Sequence, residues 1–265
     1  MQILPIKTPL VKAKDNLVDV ILQAIRRQRL EFMNNDVLAV SSKIVSFAEE
    51  RLVKLSEVFP SEKAKLLAKQ YSLDPAFAEL ILNEADSIFG GVKRAILTLN
   101  NNVFTVNAGI DNKNVQKGYA VLWPRNPQRS AENIRKALMQ HTGKRIGILI
   151  VDSTVTPLRW GTRGLAIGVA GFQPVKDYRR TRDLFEKEIV ITLHGIADDL
   201  ASAAHLVMGE AAERTPLAIV REAPVTFSEK IDADTMKIAF KDCVYTGAFE
   251  SKPLLMRGSG LKPFL

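Results

Sequence analysis

The sequence predicts an α+β chain in which helices and mixed or antiparallel sheets share one fold, and three observations carry that prediction. The run Ile146, Ile148, Leu149, Ile150, Val151 has the length and β-branched content of a buried core strand. Apolar residues recur at helical spacing over residues 17–25 and again over residues 196–208. Between these helices, residues 88–92, 95–99 and 103–106 are short β-rich runs separated by the turn formers Gly90-Gly91 and Asn100-Asn101-Asn102.

In chain order, residues 1–6 read as a strand, followed by the loop Thr8-Pro9-Leu10-Val11-Lys12, whose backbone Pro9 restricts. Asn16 is the expected N-cap of a helix presenting Leu17, Val18, Val20, Ile21, Ala24 and Ile25 and ending near Leu30. Residues 36–40 read as a strand entering Ser41-Ser42-Lys43, while residues 44–51 fit either helix or strand. Residues 61–71 and 75–84 are amphipathic helices, the second with Pro75 in its first turn. After the three β-rich runs comes the loop Asn107-Ala108-Gly109-Ile110-Asp111, and residues 130–141 read as a helix capped by Ser130. The core strand then begins at Arg145 and delivers Asp152 and Ser153 into a polar turn at its carboxyl end. The glycine-punctuated apolar segment 164–171 suits close approach of backbone to a ligand. Residues 189–195 are ambiguous, the helix runs from Ile196 through Met208 and stops at Gly209, and residues 216–220 read as a strand. Residues 251–265 read as a loosely packed tail, and no repeat or low-complexity linker interrupts the chain, which is read as a single module over residues 1–265.

With 265 residues and 46% hydrophobic content the chain can bury a sizeable core, as one large domain or two interleaved lobes. No basic start precedes an apolar run and a small-residue cleavage site, and no apolar stretch reaches bilayer length, so a cytoplasmic location without a membrane partner is expected. The single Cys243 excludes an internal disulfide framework and a cysteine-rich zinc site, but not a carboxylate-held cation. A net charge of +8, from 37 basic and 29 acidic residues, would attract a small polyanion. The basic residues are dispersed and aromatics are 7%, so no nucleic-acid partner is expected.

Asp152 and Ser153 at a strand end, with Arg159 and Arg163 close behind, suggest a site for a metal-bound phosphate. Asp111, Asp152 and Glu210 each lie where an apolar element breaks, and hard divalent cations take oxygen ligands from separate segments. The bland alternative is that each acid solvates a turn or caps the next helix. His205 reads as a packed or surface residue, Asp177-Tyr178-Arg179 as either a carboxylate-binding loop or a solvated bridge, and Glu49 and Arg51 as a local pair. Trp123 and Trp160 are candidates either for stacking on a planar acceptor or for packing.

The blocks NAGIDNKNV, VDSTVTPLRWGTRGLAIGVAGF, KDYRRTRDLFEKEI and ADDLASAAHLVMGE, with TPLVK and DVLAVSSKIVSFAEER before them, resemble the ordered signature blocks of the γ-glutamyl ligases acting on coenzyme F420. The resemblance covers nearly the whole chain up to about Arg221. It implies an α+β fold of mixed sheets in two lobes, interlocked with a second copy as a homodimer with the active groove at the dimer interface. It further implies GTP as nucleotide co-substrate, Mg2+ or Mn2+ as the essential ion, K+ as a further candidate, and L-glutamate as the amine donor to a small-molecule acceptor. Carried over by position, Asp111, Asp152, Ser153 and Glu210 match the metal places; Pro9, Leu10, Val11, Lys12, Ser41, Ser42, Asn114, Met208 and Gly209 match the nucleotide places.

Such chemistry explains the residue types. A carboxylate becomes an electrophile once a phosphoryl group from GTP makes it an acyl phosphate, which the glutamate amine then attacks with release of phosphate. Lys12, Lys43 and Arg159 are the candidate positive groups facing phosphate or carboxylate oxygens, and no general base stands out. The chain departs from the family pattern, which usually has Lys at Phe47, Gly at Glu50, Gly-Arg at Val155-Thr156, an aromatic at Leu158 and Gly at Arg180. Lys43 would replace the charge missing at position 47 if that piece is helical. The remodelled surface beside Asp152 points to a changed acceptor, either a coenzyme F420 precursor or a folate-like molecule. A non-catalytic nucleotide-binding homologue and a basic nucleic-acid-binding protein are the alternatives from other classes.

Overall fold

The computed structural model describes residues 1–250, and the tail assigned to residues 251–265 lies outside the described residues. Its centre is a five-stranded sheet of β1 (Gln2–Ile6), β12 (Leu217–Arg221), β2 (Val37–Ser41), β8 (Gly147–Val155) and β9 (Thr162–Ala170), in that order. All neighbours are antiparallel except β2 and β8, which run parallel with Ser41 opposite Val151. Strand side chains alternate between faces. Leu38, Val40, Ile148, Ile150, Leu217 and Ile219 therefore bury one face under α1 (Leu17–Arg27) and α5 (Pro127–Thr142). Val37, Ala39, Leu149, Val151, Ala218 and Val220 bury the other under α6 (Ile196–Met208).

A second core gathers α3 (Glu62–Tyr71) and α4 (Pro75–Glu84) beside the antiparallel sheet of β4 (Ser87–Val92), β5 (Ala95–Asn100) and β6 (Val103–Val106), with Phe77, Ile81, Ile96 and Leu122 buried within it. The short ribbon of β3 (Leu52–Lys54) and β7 (Tyr119–Val121) leads from this region back to α2 (Ser42–Ala48). The ribbon of β10 (Lys176–Asp177) and β11 (Leu193–His194) lies between β9 and α6 in sequence, and α7 (Val244–Glu250) closes the described chain. The fold is thus mixed α+β, and residues 44–48 resolve as helix. Among the described residues no helix is long and apolar enough to cross a membrane.

Local chemistry explains most boundaries. The Asn16 side chain accepts from Val18 N at 3.0 Å and Asp19 N at 3.4 Å, and Leu17, Ile21, Ala24 and Ile25 supply the buried stripe of α1. Asn16→Ala should cost about 1 kcal/mol, lowering the melting temperature by roughly 2–4 °C in a thermal unfolding scan. Pro75 opens α4 behind the Asp74 cap, and Asn101 and Asn102 adopt φ 51° and 61° in the two-residue β5–β6 turn.

Three boundaries correct the sequence reading. Gly90-Gly91 lies within β4 beside a bulge, and Lys93-Arg94 makes the turn. Asn126, not Ser130, caps α5 by accepting from Arg129 N at 2.9 Å, and Pro127 supplies the first helical residue. Asp152 is not in a turn at all: β8 continues to Val155, and Asp152 pairs with Leu165 of β9 where burial along the strand ends.

The glycines of β9 are also spent differently from expectation. A Cβ on Gly164 would lie 2.2 Å from the Ala201 carbonyl oxygen of α6, and one on Gly168 would lie 2.4 Å from the Pro127 carbonyl oxygen of α5. They let two helices approach the sheet, one on each face, rather than admitting a ligand.

Candidate active site

The parallel strands β2 and β8 end side by side, which places the Ser41-Ser42-Lys43 entry to α2 against Asp152. Clefts at the carboxyl ends of adjacent parallel strands are common ligand sites. Here a cavity of about 560 Å³ opens at that point. Five stretches far apart in sequence line it: the loop of Pro9, Leu10 and Val11; Ser41, Ser42 and Lys43; Asp111 and Asn114; Asp152 and Ser153; and Met208, Gly209 and Glu210. Every residue that the sequence nominated for nucleotide or metal is there except Lys12. Lys12 is exposed beside the loop, with its N–H donated to Asp15, and Arg159 is exposed in the β8–β9 turn, away from this lining.

Asp152 is held by neutral donors. Ser42 Oγ donates to its Oδ1 at 2.9 Å, and the indole N–H of Trp123 donates to its Oδ2. Burial pushes its carboxyl above the usual aspartate range, only partly offset by those hydrogen bonds, a backbone donor at Ser153 and the charge of Lys43. Trp123 is 4% exposed and packs on Gly109, where a Cβ would lie 2.3 Å from the ring, so it orients a carboxylate rather than stacking on an acceptor. Trp160 lies in the β8–β9 turn and does not line the cavity.

Asp111 is fixed by its backbone pairing with Val121 and by a 2.7 Å ion pair from Lys43 Nζ. Glu210 follows α6, where its Oε1 accepts from Thr162 Oγ1 at 2.6 Å and shares a 2.7 Å hydrogen bond with His205 Nε2. Burial pushes the Glu210 carboxyl up, but the Thr162 and His205 bonds outweigh it and hold it below the usual glutamate value. Asn114 ties its loop across the cavity mouth, donating from Nδ2 to the Ala211 carbonyl at 2.9 Å.

The donor set fits a hard divalent cation in kind: three carboxylates and Ser153 on one cavity, with Asp152 half-buried and hydrogen-bonded by the uncharged Ser42 and Trp123. Among the described residues, however, no three carboxylate, imidazole or thiol side chains stand together as a metal-enclosing group.

Sequence reasoning missed Thr162 and the roles of Trp123 and His205. His205 was read as merely packed or surface; its place in the last turn of α6, shortly before Met208-Gly209-Glu210, was the available signal. Glu49 and Arg51 do not pair with each other. Arg51 binds Glu84 at 2.5 Å, and Glu49 accepts from Arg125 N at 2.9 Å and from Ser130. Asp177 forms an exposed bridge to Arg179 that holds its carboxyl down to about 2, and neither residue lines the cavity.

A sequence model of the F420-0:gamma-glutamyl ligase family matches residues 5–222. The chain belongs to that family. Among curated relatives, it is 37% identical to the coenzyme F420:L-glutamate ligase of Methanothermobacter thermautotrophicus over 217 residues, 82% of this chain and 86% of that protein. It is 39% identical to the one from Methanopyrus kandleri, over 80% of this chain and 82% of that protein. With the one from Archaeoglobus fulgidus it shares 34%, over 83% and 87%.

Against the F420-0:gamma-glutamyl ligase family, three of the departures can be placed in the structure. Glu50 and Arg180, at positions the resemblance assigns to glycine, adopt left-handed backbone at φ 55° and 68°, which costs non-glycine residues roughly 1–2 kcal/mol each. At Phe47 the change is chemical: in α2 the aromatic ring lines the cavity one turn beyond Lys43, which alone of the two carries charge.

Proposed function

We propose that this chain is a GTP-dependent, divalent-metal-dependent ligase that joins L-glutamate to an acid-bearing small molecule by a γ-glutamyl amide bond. The acceptor is a coenzyme F420 precursor or a folate-like molecule. One observation carries the reading: a single cavity gathers the Pro9-Leu10-Val11 loop, the Ser41-Ser42 junction, three carboxylates and the Met208-Gly209 turn from across the chain. The names of the curated relatives support the reaction class.

In this reading Asp111, Asp152, Ser153 and Glu210 hold Mg2+ or Mn2+, which when bound offsets charge on phosphate oxygens as the acceptor carboxylate is phosphorylated. Ser42 and Trp123 orient Asp152, and Thr162 with His205 orients Glu210 and favours its ionised form. Lys43 is the ammonium within reach of the same wall. Pro9, Leu10, Val11, Ile44, Phe47 and Val115 give the cavity an apolar side. That side excludes water from an acyl phosphate that would otherwise hydrolyse before the glutamate amine attacks.

The reading also carries a cytoplasmic homodimer. Leu158 in the β8–β9 turn, and Leu184, Phe185, Val190 and Ile191 in the segment before β11, are exposed apolar side chains suited to cover by a second copy. Purified protein incubated with GTP, Mn2+, L-glutamate and each acceptor should yield a product heavier by one glutamyl unit, with GDP and phosphate in equal amount, by mass spectrometry and phosphate assay. No glutamylated product from either acceptor overturns the proposal.

A further inference from the structure

Lys43 carries a positive charge into the carboxylate-lined wall of the cavity. Its Nζ lies 2.7 Å from Asp111 Oδ2 and donates to the Lys113 carbonyl at 3.0 Å. The other Asp111 oxygen, Oδ1, accepts from Lys113 N at 2.8 Å, so both oxygens of that carboxylate are engaged by the protein. The ion pair is substantially sheltered, with side-chain exposures of 23% for Lys43 and 37% for Asp111. The field of Lys43 also reaches Asp152, whose own hydrogen-bond partners Ser42 and Trp123 carry no charge. Without the ammonium, two carboxylates would share the wall with no counter-charge between them. Lys43 thus stands where a bound cation would be needed, and an ammonium held on Asp111 Oδ2 repels a divalent ion brought to the same carboxylate.

We infer that Lys43 is a displaceable internal cation: it neutralises Asp111 in the metal-free cavity, must give that carboxylate up when a divalent ion enters, and so sets the metal affinity of the site. The inference rests on the metal-binding reading of the cavity given above. Two consequences follow from the competition. Metal affinity is weaker than the three carboxylates alone would give. The ammonium, once released, is available to an anion in the same cavity, so that a nucleotide phosphate and the metal favour each other's binding. A structural salt bridge predicts the opposite for the first consequence, because losing it would disorder Asp111 and weaken metal binding.

The test needs no turnover. Mn2+ is titrated into the intact protein without nucleotide, followed by calorimetry and by the electron paramagnetic resonance signal of free Mn2+, for wild type, Lys43→Met and Asp111→Asn. Lys43→Met should bind Mn2+ about two- to fivefold more tightly, the scale on which a partly exposed ion pair competes. Its metal-free form should unfold at lower temperature than wild type, and Asp111→Asn should bind Mn2+ most weakly. On the wild-type chain alone, acylation of Lys43 by an amine-reactive reagent, read by peptide mass spectrometry, should rise on adding Mn2+. Equal or weaker Mn2+ binding by Lys43→Met, with Mn2+ leaving Lys43 acylation unchanged, overturns the role of Lys43 while leaving the metal site standing. Absence of Mn2+ binding by wild type and Lys43→Met alike overturns both.

Discussion

Asp152→Asn should lower kcat of glutamyl transfer on the order of 10³-fold, equivalent to about 4 kcal/mol of transition-state stabilisation, while leaving the protein folded. The two effects separate because the carboxylate is costly to the fold and necessary to the chemistry. Burial raises its proton affinity above that of an ordinary aspartate, so in the metal-free protein its ionised form is disfavoured relative to the unfolded chain. The sign is therefore that of a raised acid. Its cost is absent below the ordinary aspartate range near about 4, appears as pH rises from there through the raised folded value, and is fully present above it. Asparagine removes the charge and with it the attraction to Lys43, keeps an oxygen for Ser42, and loses the match to the Trp123 N–H. The metal-free variant should accordingly melt no lower than wild type at neutral pH and show a flatter dependence of stability on pH across that window. Thermal scans at several pH values, beside a turnover assay, check both halves. A variant that unfolds, or one that retains full turnover, contradicts the account.

Gly164→Val should be the converse, a change on the strand paired with Asp152 and Ser153 that removes no carboxylate and damages the fold first. The position faces α6, where an added Cβ would meet the Ala201 carbonyl carbon at 2.4 Å and its oxygen at 2.2 Å. Backbone cannot rotate away as a long side chain can, so the helix must slide off the sheet or β9 must bend. The expected loss is roughly 3 kcal/mol, the upper end for overpacking, which lowers the melting temperature by roughly 6–12 °C. The damage reaches the cavity as well. The Gly164 carbonyl accepts from Ser202 Oγ at 3.0 Å, and the same helix carries His205 and leads into Glu210. Urea unfolding would give the stability loss, and Mn2+ titration of the folded fraction should show weakened binding. Stability within 1 kcal/mol of wild type would mean that α6 is free to move away from β9.

The parts of the fold legible in the sequence were those governed by nearby residues. Asn16 caps α1 through bonds two and three residues ahead, Pro75 pre-sets the first turn of α4, and Gly209 ends α6 in a conformation that suits glycine. The misreadings share a cause in contacts from distant segments. Gly90-Gly91 looked like a turn because glycine permits one, yet pairing with β5 absorbed it as a bulge. Asp152 looked like the end of a strand because hydrophobicity stops there, yet β9 returns alongside and continues the ladder to Val155. Gly164 and Gly168 looked like ligand-facing glycines, and only the packing of α6 and α5 reveals which backbone they admit.

By itself, the sequence determined the helix stripes, the core strand, the three carboxylates at the ends of apolar runs and, through its ordered blocks, the family. Those features are written in local spacing and residue type, which a linear chain carries without folding. Only the tertiary structure decided that Ser42 and Trp123 hold Asp152, that His205 and Thr162 hold Glu210, and that Lys43 rests on Asp111. Each of those contacts but the one between His205 and Glu210 joins segments tens of residues or more apart, and their geometry is fixed by the parallel pairing of β2 with β8 and by the seat of α6 on β9. Hydrophobic periodicity specifies which face of an element is buried, but not which polar side chain meets which other at the rim.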